Sequence, residues 1–182
     1  SRRTSIGIMT EIRNAHPGDA YAIAAVHVES WQATYHGLLP EGLLAGLSIP
    51  DREEIWSKIL VDPPPRTAVL LATSQAAILG FVAIGPNQDN TAAPEIGQIY
   101  AIYRRPHQRG RGIGTQLHDA ALDRLSTLGF TQGTLWVLES NEPASRFYHR
   151  HGWTADGMRR IEQGPGGIDL SELHLHRTLP AL

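Results

Sequence analysis

The chain has 182 residues, 41% hydrophobic and 19% charged, with a formal net charge of −2 and no cysteine. A core can close at that length without staples, and the charge total gives no reason to expect nucleic-acid or membrane binding. The absence of cysteine excludes disulfides, a thiolate nucleophile and cysteine zinc sites. Arginine supplies 15 of the 16 basic residues, and Lys58 is the single lysine. A P-loop lysine or a Schiff base would have to use Lys58, whose surroundings fit neither.

The start, Ser1 to Met9, is basic but lacks a long apolar stretch, so it reads as a tail rather than a signal peptide. One domain is expected over 10–182, in the cytoplasm. Thr10 to Asn14 reads as a short strand. Pro17 and Asp19 suit a first helical turn, and Ile23, Val26, Ser30 and Thr34 recur at helical spacing up to Tyr35. Short helices are expected over 41–47 and 51–60, the second with Ile55, Trp56 and Ile59 on one side. Pro63-Pro64-Pro65 stops it. Strands over 67–73 and 77–84 read as a hairpin, and Glu95 to Tyr103 as a third strand. In Gly112 to Leu128 the apolar residues Ile113, Leu117, Ala121, Leu125 and Leu128 mark an amphipathic helix, stopped by Gly129. A strand over 134–138, a helix over 142–150, a strand at Trp153 to Ile161 and a last strand over 169–178 complete an α/β domain on a mixed sheet of six to seven strands.

The most informative segment joins the third long strand to the amphipathic helix: Arg104-Arg105-Pro106-His107-Gln108-Arg109-Gly110-Arg111-Gly112-Ile113-Gly114-Thr115. Three glycines let backbone N–H groups approach a ligand closely, and a helix N-terminus adds unpaired donors. Four arginines strengthen the reading as a phosphate site. Glycines at 110, 112 and 114 do not meet the dinucleotide fingerprint, and a Walker lysine is absent.

Arg109-x-x-Gly112-x-Gly114 resembles the Q/R-x-x-G-x-G/A signature of the GNAT superfamily of acetyl-CoA-dependent N-acetyltransferases. The run from Leu135 through Asn141 and Phe147-Tyr148 to Gly152-Trp153 is similar to the family's second half. Ile102 to Pro106 resembles its central strand and following loop, and Val26 to Pro40 the first-helix region of small bacterial members. The likeness covers about residues 10 to 179. It implies a GNAT fold and acetyl-CoA as co-substrate, with pyrophosphate at Arg109, Gly110, Arg111, Gly112, Ile113, Gly114 and Thr115. It places the pantetheine arm along Ile102, Tyr103 and Arg104 and beside Asn141, with Ser145 and Phe147 near by. Tyr148 matches the tyrosine that protonates departing CoA.

Many relatives carry a Glu base on the central strand where this chain has Gln98. Glu139 and Glu95 are the nearest substitutes, with a water relay as a third route. Trp31, Tyr35 and His36 are expected to line the acceptor site. His149-x-His151 and His174-x-His176 lack an evident third ligand, so no metal is expected. The acceptor is read as a small-molecule or peptide amine, and a homodimer is left open. The alternatives are a CoA-binding module without catalysis and a different nucleotide-binding protein.

Overall fold

The computed structural model describes residues 10–89, 93–108 and 112–182. The expected tail therefore lies outside the described residues. The sheet is built from β1 (Glu11–Asn14), β2 (Ala68–Ser74), β3 (Ala77–Pro86), β4 (Ile96–Arg104), β5 (Gln132–Leu138), β6 (Thr154–Gln163) and β7 (Asp169–Thr178). Its order is β1-β2-β3-β4-β5-β7-β6, with β4 and β5 parallel and every other neighbouring pair antiparallel. The sheet therefore has the seven strands at the upper end of the expected range. The helices are α1 (Ala20–Tyr35), α2 (Glu41–Ala45), α3 (Ile49–Val61), α4 (Ile113–Thr127) and α5 (Glu142–Arg150).

Two apolar layers sandwich the sheet. On one face Ile113, Leu117, Ala121 and Leu125 of α4 pack with Leu70, Val82, Ile99, Leu135 and Leu175. This is the stripe read from the sequence, with Leu128 packed at its border. On the other face Ile23, Ala24 and Val26 of α1 and Trp56 of α3 cover Leu71, Phe81 and Ala83. The expected apolar side of α3 is only partly right. Trp56 is buried, but Ile55 is 47% exposed, because the helix turns it away from α1 to solvent. A smaller cluster of Tyr35, Leu39 and Leu44 closes the end near α2.

Local sequence fixes the helix ends. Ser48 caps α3 by accepting from Asp51 N–H, and Asn141 caps α5 by accepting from Ala144 N–H. Gly112 precedes α4 with φ +70°, a left-handed conformation that costs glycine nothing.

Two histidines are held inside this packing as neutral rings. His27 stacks on Tyr103 and its Nδ1 accepts from Trp56 Nε1 at 3.4 Å. Burial, aided by nearby Arg52, lowers its pKa to about 4. Burial also lowers the pKa of His118. Both rings gain protons more readily in the unfolded chain, so stability is full above about pH 6.5 and is lost as pH falls toward 4. His27 alone predicts a loss of about 2 kcal/mol between pH 8 and pH 5. Urea unfolding at the two pH values measures it, and an unchanged midpoint would contradict neutral burial.

Candidate active site

The site begins where two parallel strands part. β4 and β5 pair over three positions only, Ile96 with Gln132, Gly97 with Gly133 and Gln98 with Thr134. Beyond Gln98 the strands diverge, while β4 stays paired to β3 as far as Arg104 and β5 to β7 as far as Leu138. One edge of β4 thus runs along an opening with no ladder partner among the described residues. The fork is fastened by Thr134, whose hydroxyl donates to the Gly97 carbonyl at 3.0 Å and accepts from Asn87 Nδ2 at 2.6 Å.

A bulge sets what β4 presents. The register with β3 skips Tyr100, so Ala101 pairs with Ala83 and Ile99 with Ile84. Ile99 and Ile102 consequently share the α4 face, while Ala101 and Tyr103 share the α1 face. Without the extra residue Ile99, Ala101 and Tyr103 would lie on one face.

The opening is a cleft of about 620 Å³. Its walls come from β4 (Ile102, Tyr103, Arg104), β5 (Trp136, Leu138), the first turns of α4 and α5 (Gly114, Asn141, Ala144) and α1 (Trp31, Tyr35). Phe147 and Tyr148 of α5 line it as well. The first turns of both α4 and α5 thus contribute to the cleft wall, and the α4 N-terminus favours an anion.

Inside the cleft the tyrosines are neutral hydroxyls. Burial pushes the Tyr35 phenol up to about 12, with smaller contributions from Tyr103 and Glu172. Tyr103 is raised mainly by burial, and its hydroxyl accepts from Trp31 Nε1 at 3.0 Å. Tyr148 is also raised, by burial first and then by Tyr103. Its hydroxyl makes no hydrogen bond among the described residues, although its ring is 8% exposed.

The sequence-derived residues divide as follows. Ile102, Tyr103, Arg104, Gly114, Asn141, Phe147, Tyr148, Trp31 and Tyr35 meet at the cleft. Ile113 is 1% exposed and belongs to the core, so its backbone alone is available to a ligand. Thr115 lies in the first turn of α4 with its hydroxyl 3.5 Å from His151 Nε2. Ser145 and His36 do not line the cleft. Arg109, Gly110 and Arg111 lie outside the described residues.

The two carboxylates offered as bases are not in the cleft wall. Glu95 precedes β4 at the closed end of the fork, where its carbonyl accepts from Thr131 N–H at 2.9 Å. Glu139 lines a neighbouring hollow of about 350 Å³. It accepts from Ser171 Oγ at 2.9 Å and pairs with Arg159 at 3.0 Å. Gln98 is buried and accepts from Gln88 N–H at 2.9 Å, so it holds the loop after β3. The acid that does line the cleft is Glu172 of β7, which no motif marked. Its signal in the sequence is a strand alternation: Glu172, His174 and His176 form one polar row, and Leu173 and Leu175 the apolar one.

His118, Asp119 and His151 bring possible ligand atoms within 4.8 Å of one another. Their hydrogen bonds argue against a metal there. Indole N–H can only donate, so Trp153 Nε1, 2.9 Å from His118 Nε2, assigns the ring proton to Nδ1. That proton faces Asp119 Oδ1 at 3.0 Å, which completes the bonding of His118. Among the described residues no helix is long and apolar enough to cross a membrane.

Known proteins share this fold. Residues 27–153 match the model of the acetyltransferase (GNAT) family. YuaI, an uncharacterized N-acetyltransferase of Bacillus subtilis, is 29% identical over 173 residues, covering 91% of this chain and 96% of its own. The crystal structure of PaiA N-acetyltransferase from Thermoplasma acidophilum, in complex with coenzyme A, is similar with a TM-score of 0.71 and 20% identity, covering 93% of this chain and 99% of that one. An N-acetyltransferase from Staphylococcus aureus is similar with a TM-score of 0.72 and 17% identity, covering 94% and 99%. At those identities the structural likenesses speak to the fold, and the family match spans most of the chain. The chain belongs to the acetyltransferase (GNAT) family.

Proposed function

We propose that the protein transfers an acetyl group from acetyl-CoA to a primary amine by direct attack. The observation that carries this is the fork between β4 and β5, where the stretch of β4 from Ile99 to Tyr103 borders the cleft, lined also by Gly114 and Tyr148, without a ladder bond to β5. An extended pantetheine arm matches that edge, since its amides can continue the ladder as an added strand does. In this reading Ile102, Tyr103 and Arg104 bind the arm through backbone, and Asn141 reaches it with the amide nitrogen left free by its capping bond. Gly112, Ile113, Gly114 and Thr115 hold pyrophosphate, with Arg109, Gly110 and Arg111 completing the turn. Phe147 packs along the arm. Ser145 has no place in the contact.

The acceptor enters from the side of Trp31 and Tyr35. Attack by its nitrogen, as the neutral amine, on the thioester carbonyl forms the carbon–nitrogen bond and places charge on oxygen, where backbone N–H groups of the β4 edge stabilise it, and the proton the nitrogen sheds passes to water in the cleft. The carbon–sulfur bond then breaks toward Tyr148. A thiol has a pKa near 8.5 and an ordinary phenol about 10. Burial makes Tyr148 a weaker acid still, so its first contribution is a hydrogen bond to the sulfur as charge develops, with proton transfer late. The absence of cysteine removes the commonest covalent acyl carrier and favours the direct route.

Calorimetric titration tests the cleft assignment. Acetyl-CoA and CoA are expected to bind and compete, and ADP to bind more weakly because it lacks the arm. Tighter binding of ADP would favour a general nucleotide site instead. The relatives' names, N-acetyltransferase in each reported case, lend no support to a module without catalysis.

A further inference from the structure

Glu172 stands where an amine would need a counter-charge. It sits on β7 opposite Leu138 of β5 and Arg160 of β6. Its side chain is 19% exposed, and Oε1 accepts from Arg160 Nε at 2.9 Å. Oε2 accepts no hydrogen bond among the described residues. Arg160 also lies over the Trp136 ring at 4.5 Å, so the guanidinium is held between an indole and a carboxylate. That arrangement fixes one carboxylate oxygen and leaves the other available. No other Asp or Glu among the described residues lines the cleft.

The cleft also continues into an apolar space. The 350 Å³ hollow shares Tyr35, Leu38, Leu138 and Ser140 with it. Leu39, Ile168 and Leu170 share the remaining wall with Glu139, Asp169 and Ser171, and Glu139 is already held by Ser171 and Arg159. Leu38 stands at the shared rim and is 58% exposed, a large apolar side chain beside an apolar chamber.

We propose that Glu172 binds the ammonium group of the acceptor, and that the acceptor is a primary amine with a compact apolar body seated beneath Leu38. The inference rests on acetyl transfer in the cleft. A cation leaving water needs a charged partner, and a carboxylate oxygen with a spare lone pair supplies it. The apolar body gains by leaving water against Leu38, Leu138 and Leu170. A neutral alcohol of the same shape gains the second term without the first. Glu172 is in this sense an acceptor-binding residue that selects by charge.

The test uses the full chain saturated with CoA, with 2-phenylethylamine and 2-phenylethanol as probes in calorimetric titrations at neutral pH. The amine is expected to bind at least about tenfold more tightly than the alcohol. Glu172→Gln is expected to remove that preference by weakening the amine alone, with CoA affinity unchanged. Equal binding of the two probes, binding of neither, or an undiminished amine preference in folded E172Q would overturn the proposal. The wild-type comparison decides the matter even if the variant does not fold. Failure of the wild-type chain to bind CoA would instead overturn the reading of the cleft, so the two failures are separable.

Discussion

Acetyl-CoA affinity is expected to fall about 100-fold when Gly112 is replaced by Glu. Gly112 opens α4 with φ +70°, and a Cβ built there meets nothing within 4 Å. The substitution therefore adds backbone strain of about 1–2 kcal/mol without a clash. It also sets a carboxylate beside the proposed pyrophosphate. At an effective dielectric of 20, two like charges about 5 Å apart repel by roughly 3 kcal/mol, which is a factor of about 100 in affinity. Gly112→Ala carries the strain without the charge and separates the two. Titration of both variants should show near wild-type binding for G112A and severe loss for G112E. Equal, undiminished binding by both would remove the phosphate from this turn.

Turnover is expected to fall about 100-fold in Tyr148→Phe, within the range of acid–base and sulfur-stabilising groups. The hydroxyl has no hydrogen bond among the described residues, so its removal leaves packing against α4 and the sheet intact. Thermal stability and acetyl-CoA affinity should stay close to wild type while kcat drops. Because burial raises the phenol far above neutrality, the Tyr148 contribution should not titrate between pH 6 and 9. A Y148F enzyme with an unchanged rate would show that the ring only packs.

Periodicity and punctuation carried much of the architecture. The α5 and β7 ranges expected from the sequence, 142–150 and 169–178, are those observed; Asn141 and Gly152 bound α5 sharply, and the turn at Pro165–Gly167 precedes β7. The strand expected at 153–161 is present as β6, over Thr154–Gln163. It is an edge strand with few buried residues, so its alternation is faint. Ile55 misled because propensity does not say which side of α3 meets α1.

The site was legible where contacts are local in sequence. Gly114, Asn141 and Tyr148, which line the cleft, fall in short motifs recognisable by residue type and spacing. Glu172 could not be found that way. It comes to the cleft that Tyr35 and Tyr103 also line through the pairing of β7 with β5, from a position far along the chain. The bulge at Tyr100 was equally hidden, since one extra residue changes face assignments without a compositional mark. Gln98 shows a different gap: its place on the central strand marks it for attention, but its side-chain oxygen proves to hold the backbone of Gln88.

The central claim is that the fork between β4 and β5 performs acetyl transfer to an amine. Free CoA released from acetyl-CoA can be followed with a thiol reagent, undisturbed by the protein, which has no cysteine. Release is expected to require both the enzyme and a primary amine, with one acetylated amine formed for each thiol. Release at the same rate with no amine, or an intact thioester across a broad panel of primary amines, would contradict it.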